Sequence, residues 1–158
     1  RSLMRFLMRF SHRTNPRALR DGAHLTATER HGAALFARHC QRCHAPRLIT
    51  NQAASAVPFG RWPELVLSAN GPIVWASEAY QKTGVVPYVH EAGARTSSLR
   101  RVVSKRPYFS NGSAKTLAEL AYMAAWTDQR FFHAGAPAGA SRLTSAEAAA
   151  LVAFVELL

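Results

Sequence analysis

The sequence predicts an all-α domain of about four or five helices joined by long loops. Three observations lead to this. Thr26-Ala-Thr-Glu29, Thr116-Leu-Ala-Glu119 and Thr144-Ser-Ala-Glu147 each set a threonine three residues ahead of a glutamate, at the head of an apolar run. That is the capping-box pattern, in which the two side chains satisfy free N–H groups at a helix start. No segment alternates apolar and polar residues convincingly, so any strands should be short. Turn formers punctuate the intervening chain: Asn70-Gly71-Pro72, Gly84, Pro87, Gly93, Pro107 and Asn111-Gly112.

The first element lies at the start. Leu3, Phe6, Leu7 and Phe10 recur at helical spacing with Arg1, Arg5 and Arg9 between them. This predicts a short basic amphipathic helix, able to touch a membrane surface or pack on a neighbouring domain. Residues 1–24 read as a basic extension and 25–158 as the domain proper. The arginines interrupt the apolar stretch, so it is no secretory signal as written. A start at Arg1 without methionine suggests processing, or a piece of a longer protein.

The second helix starts at about Ala27 and runs into Cys40, with Gly32, Leu35, Phe36 and His39 along one side. A helical glycine costs ~1 kcal/mol against alanine, so Gly32 predicts close approach by another element. Phe154 of the final helix is the natural partner. Trp62-Pro63-Glu64 opens a short third helix, since proline suits a first turn, and Asn70-Gly71-Pro72 stops it. Leu117, Leu120, Ala121 and Ala124 predict a fourth, with Met123 and Trp126 on its edge. The last runs from about Ser145 to the end, with Leu151, Val152, Phe154, Val155 and Leu158 apolar. Trp62, Trp75 and Trp126 read as aromatic core around a large apolar group.

Charge constrains the partners. Twenty Lys and Arg stand against nine Asp and Glu, a formal +11, which draws anionic surfaces. The arginines are scattered from Arg1 to Arg142, with no aromatic-interleaved block of a nucleic-acid-binding module, so nucleic acid is not the expected partner. No apolar run approaches the length of a membrane helix.

The chemistry concentrates in Arg38-His-Cys-Gln-Arg-Cys-His44, which holds both cysteines of the chain. A thioredoxin-like dithiol would follow a strand in a βαβ pattern, and none is visible. A structural zinc site would want a second ligand pair, for which His90 and His133 are poor substitutes. A disulfide closing so short a loop would contribute little. Cys-x-x-Cys-His is also the attachment signature of c-type haem. Positions i, i+3 and i+4 share a helix face, so Cys40 and Cys43 can form thioethers with both vinyl groups while His44 stands under the iron.

With those residues in view, the sequence resembles a c-type cytochrome, and in particular the C-terminal haem domain of the di-haem cytochrome c peroxidase family. "RHGAALFARHCQRCHAP", "RTSSLRRVVSKRPYFSNGSAKTLAEL" and "LTSAEAAALVAFVELL" are similar to that family's haem-motif helix, haem-side turn and closing helix. The resemblance spans about residues 25–158, with a less typical insert at about 49–88. It implies a cytochrome c-like fold around one covalently bound haem c. It also implies that Arg100, Pro107 and Tyr108 line the cofactor together with Cys40, Cys43 and His44, with Phe109, Asn111 and Gly112 in the same turn. Arg95, Arg100 and Arg101 could neutralise the propionates. Ser110 stands where family members often carry histidine, and there is one Cys-x-x-Cys-His where the di-haem enzymes have two.

For the sixth iron ligand the resemblance points to Met123, close to the family's distal methionine. His133 in "RFFHAGAPAG" and His90 in "PYVHEAG" are rivals, and an open site is the remaining case. The expected function is electron transfer through one low-spin, six-coordinate haem, with no catalytic residue. It would serve a periplasmic redox chain or complex, facing an acidic redox partner, an upstream haem domain or a membrane complex. The alternative is one haem domain of a peroxidase- or oxygenase-like enzyme, for which Glu91 and Glu119 are the nearest acids.

Overall fold

Helices from opposite ends of the chain meet at one glycine. In a computed structural model, which describes residues 2–9, 17, 24–48, 56–67 and 73–158, helix α2 (Ala27–His39) packs chiefly against helix α5 (Ser145–Val155). A Cβ added at Gly32 would lie 1.9 Å from the Ala150 carbonyl oxygen and 2.9 Å from Phe154 Cβ. The expected crossing of Gly32 with Phe154 is therefore present, and backbone meets backbone there.

Both helices start as their capping residues predict. Thr26 and Glu29 form a reciprocal box at α2, as do Thr144 and Glu147 at α5. At helix α4 (Leu117–Met123) Thr116 accepts from the Glu119 N–H, but the Glu119 carboxylate takes the N–H of Lys115 at 2.6 Å instead of the cap's own. Helix α1 (Ser2–Arg9) forms where the basic amphipathic run predicts it, and Leu3 and Met4 are 69% and 61% exposed. Arg1 and Phe10 lie outside the described residues.

Behind the crossing sits an aromatic cluster. Phe36 meets Trp62, Trp75 and Phe154 edge-on, with centroids 5.9, 5.3 and 5.5 Å away. Trp62 and Trp75 lie 5.0 Å apart, and Trp62 stacks on Phe154 at 6.0 Å. All four side chains are fully buried. Trp62 sits at the start of helix α3 (Trp62–Val66), with Pro63 in the first turn, and its indole N–H donates to the Val57 carbonyl at 3.0 Å. The Asn70-Gly71-Pro72 stop falls outside the described residues. Truncating a buried phenylalanine costs ~3–5 kcal/mol, so this cluster outweighs helix propensity in holding α2 on α5.

The described residues contain five α-helices, with strands of no more than three residues between them. Strands β1 (Pro46–Leu48) and β2 (Ile73–Trp75) pair antiparallel, Pro46 opposite Trp75. Strands β3 (Tyr80–Gln81) and β4 (Ala94–Arg95) make a second pair. Strand β5 (Ala125–Trp126) lies between β6 (Phe131–Phe132) and β7 (Ser141–Arg142). These strands are too short to show alternation in the sequence, and their pairing clamps loops rather than building a layer. A second, smaller core gathers Val102, Tyr108, Ala114 and Leu117, with Met123, Val152 and Val155 against it.

Gly32→Ala gains helix propensity of ~1 kcal/mol but drives a methyl into backbone, and overpacking of this kind costs ~1–3 kcal/mol or more. A net loss of stability is expected, read as a lower denaturation midpoint at unchanged m-value. Hydrogen bonds from the Thr144 backbone and hydroxyl hold the Glu147 carboxyl below its ordinary value. Its contribution is then fully present above the ordinary glutamate range and lost as pH falls through the folded value. Wild type should exceed Glu147→Gln in stability at neutral pH, and urea titrations should show the gap closing in acid.

Candidate functional site

Helix α2 ends at Cys40, its C-cap, and the chain continues for one further turn. The N–H of Cys43 and the N–H of His44 both donate to the Cys40 carbonyl, at 3.1 and 2.9 Å. Cys40, Cys43 and His44 thus project from a single helical turn, which the crossing at Gly32 holds rigidly against α5. The two cysteines are not disulfide-bonded. Burial pushes the Cys40 thiol up to about 12, with Cys43 adding to the shift. Burial also raises Cys43, against the opposing effect of Arg42. Such thiols stay protonated near neutrality, whereas a dithiol redox catalyst needs a depressed pKa. Among the described residues no cluster of three or more His, Cys, Asp or Glu side chains could hold a bare metal ion.

The His44 ring is half-buried. Burial lowers its pKa, partly opposed by the carbonyls of Trp75 and Ser97 beside it, and its Nδ1 is buried without a hydrogen-bond partner. Trp75 closes strand β2, and its carbonyl also accepts the Leu99 N–H at 3.1 Å, tying segment 97–100 to the site. Arg100 follows directly. One guanidinium nitrogen of Arg100 is buried without a partner, and burial followed by the charge of Arg101 lowers its pKa. Arg101 adopts a left-handed backbone (φ 56°), and its N–H donates to the C-terminal Leu158 carbonyl at 2.6 Å. Arg95 is exposed.

The turn around Pro107 and Tyr108 forms the neighbouring wall. Tyr108 is buried and pairs with Ala114 through its N–H at 2.7 Å, while Pro107 is exposed. Asn111 reaches the Val86 carbonyl at 2.9 Å. Phe109 holds a left-handed backbone (φ 69°), a conformation that costs a non-glycine residue ~1–2 kcal/mol, and its ring meets His133 at 5.2 Å.

His133 is the sequence candidate that the fold brings to His44. Their ring centroids lie 6.3 Å apart at an interplanar angle of 67°. His133 Nδ1 is also buried without a partner, and burial, then His44, lower its pKa to about 4. The residue follows β6, so Phe131 and His133 point to one face, with the Phe131 ring 5.0 Å from the imidazole. The His133 N–H donates to the Thr83 carbonyl at 2.8 Å, and an Arg130 guanidinium nitrogen donates to the Lys82 carbonyl.

The remaining candidates have other contacts. His90 is exposed, its Nδ1 accepts the Ala92 N–H at 3.1 Å, and its ring packs on Tyr80 at 4.6 Å. Met123 lies partly buried against the small core of Val102, Tyr108, Ala114 and Leu117. His39 packs on Trp126 at 4.0 Å, joining the β5 strand to the end of α2. Sequence reading placed Phe109 in the turn beside the cofactor but did not single out Thr83, Gly84 or Phe131 as a cradle. Gly84 left a signal as an isolated glycine, and the Phe-Phe-His run left another.

Residues 30–158 match the sequence profile of the family described as Cytochrome c. Comparison with curated proteins and with solved structures gives no match.

Gly84 supplies the prediction here. Its φ is +87°, and an added Cβ would lie 1.8 Å from the Ala134 carbonyl oxygen. Gly84→Ala should therefore cost ~1–3 kcal/mol by overpacking, with added backbone strain. Hydrogen exchange should show the loss first as lower protection of the His133 N–H.

Proposed function

This chain belongs to the cytochrome c family, whose members carry haem for electron transfer, and on that premise we propose that it moves single electrons through one haem c held by Cys40, Cys43 and His44. The observation that carries this reading is a single turn presenting two unpaired thiols and a half-buried imidazole whose buried Nδ1 has no partner. Each thiol would add across a vinyl double bond, sulfur to one carbon and hydrogen to the other, so attachment needs no oxidant. His44 would hold the iron. The buried Arg100 nitrogen lacks a partner, and a propionate would satisfy it. Tyr108 and the adjoining Pro107 turn would wall the group from water.

When bound, the haem supplies a one-electron iron couple. The polypeptide's part is to fix the ring, shield it and set its potential. Steering by the +11 surface would favour an acidic redox partner, raising the association rate more than the affinity. A periplasmic setting, within a redox chain or membrane complex, accords with covalent attachment as the family resemblance implies. The peroxidase-like alternative has less support, because Glu119 is engaged with the Lys115 N–H and Glu91 sits exposed beside His90 in the turn.

Two experiments test this reading. In the full chain produced with haem-attachment machinery, acid-acetone should leave the colour on the polypeptide, and Cys40→Ala with Cys43→Ala together should release it. Extractable haem in the wild type would refute covalent attachment. Electron transfer to an acidic partner should slow as salt rises, and rates indifferent to salt would refute steering.

A further inference from the structure

Two half-buried imidazoles stand close together in the site, and their spacing has a chemical meaning. An imidazole nitrogen lies ~1.2 Å from its ring centroid and binds a first-row metal at ~2.0 Å. Two rings that bind one ion from opposite sides therefore have centroids ~6.4 Å apart, by the same bond lengths. The His44 and His133 rings stand 6.3 Å apart. We propose that His133 is the second axial ligand of the iron that His44 holds. This rests on the haem reading above and deepens it.

Three further features support the assignment. His44 and His133 each bury an Nδ1 that lacks a hydrogen-bond partner, although most buried polar side-chain atoms in folded proteins find one. The His133 ring is positioned from two sides, by Phe131 at 5.0 Å and by Phe109 at 5.2 Å. Its backbone is pinned by the Thr83 carbonyl, while Gly84 lets its own segment approach Ala134 closely. A ligand held by such supports loses little freedom on binding. The methionine expected from sequence, Met123, is partly buried against the small core of Tyr108 and Leu117, and among the described residues no ring or polar contact holds it toward His44. His90 is committed to its own exposed turn.

Two imidazoles close the iron and set its potential below that of a histidine–methionine pair. The site would then carry electrons without admitting peroxide or carbon monoxide.

The test uses the full chain with haem attached. Ferric wild type should be low-spin without the near-infrared charge-transfer band of an iron–thioether bond, and the ferrous form should not take up carbon monoxide. His133→Ala should turn the spectrum high-spin and bind one carbon monoxide per haem. His133→Met should stay low-spin, gain the thioether band and raise the potential. Met123→Leu should leave the wild-type spectrum unchanged. A thioether band in the wild type that vanishes in Met123→Leu overturns the proposal and assigns the ligand to Met123. A low-spin His133→Ala protein that still excludes carbon monoxide overturns it as well. If His133→Ala does not accumulate, the wild-type spectrum decides: a thioether band or carbon monoxide uptake overturns the proposal, and a closed low-spin iron without that band upholds it. Failure of the haem reading shows differently, as a wild-type chain with no covalent haem at all.

Discussion

Gly32 is where the polypeptide must be thin. With Ala150 carbonyl oxygen only 1.9 Å from where a Cβ would be, helix α2 can lie on α5 only because residue 32 has no side chain. That approach lets Phe36 and Phe154 reach each other and enclose Trp62 and Trp75. It also sets the axis of α2, and with it the direction in which the turn of Cys40, Cys43 and His44 leaves the helix. A rigid helix fixed along its length delivers its last turn more accurately than a loop can.

The opposite wall is built by other means. Between Trp75 and the start of α4 there is little regular structure, and the chain is ordered by paired loops and glycines at positive φ. Gly84, Gly93 and Gly112 have φ of 87°, 117° and 66°, and Gly93 brings its backbone within 2.3 Å (as an added Cβ would measure it) of the Gln81 carbonyl oxygen. The β5–β6–β7 sheet docks on the end of α2 through Trp126 against His39, and on the Thr83 strap through His133. A helical frame thus holds one imidazole and a clamped set of loops holds the other.

Charge and burial divide the molecule in the same way. Five of the acids are spent on local work: Glu29, Glu119 and Glu147 at helix starts, Glu64 with Arg61, and Glu156 with Arg17 at 2.6 Å. The basic excess is left for the surface. Among the described residues, the buried side-chain nitrogens without partners are those of His44, Arg100 and His133, and the two imidazoles have centroids 6.3 Å apart.

Helix starts, the Gly32–Phe154 contact and the Cys40–Cys43–His44 turn were legible in the amino-acid order, because each depends on residues a few positions apart or on the absence of a side chain. Local chemistry determines them: a threonine caps the turn beside it, and two thiols three apart share a face wherever that turn stands. The neighbour of His44 was not legible. The resemblance points to Met123, with His133 and His90 as rivals, all far from His44 in sequence, and loop closure through Thr83, Gly84 and three two-residue strands sets which imidazole lies beside His44. Only tertiary structure can do that, since which imidazole arrives opposite another depends on how the whole backbone packs and on no pattern that neighbouring residues carry.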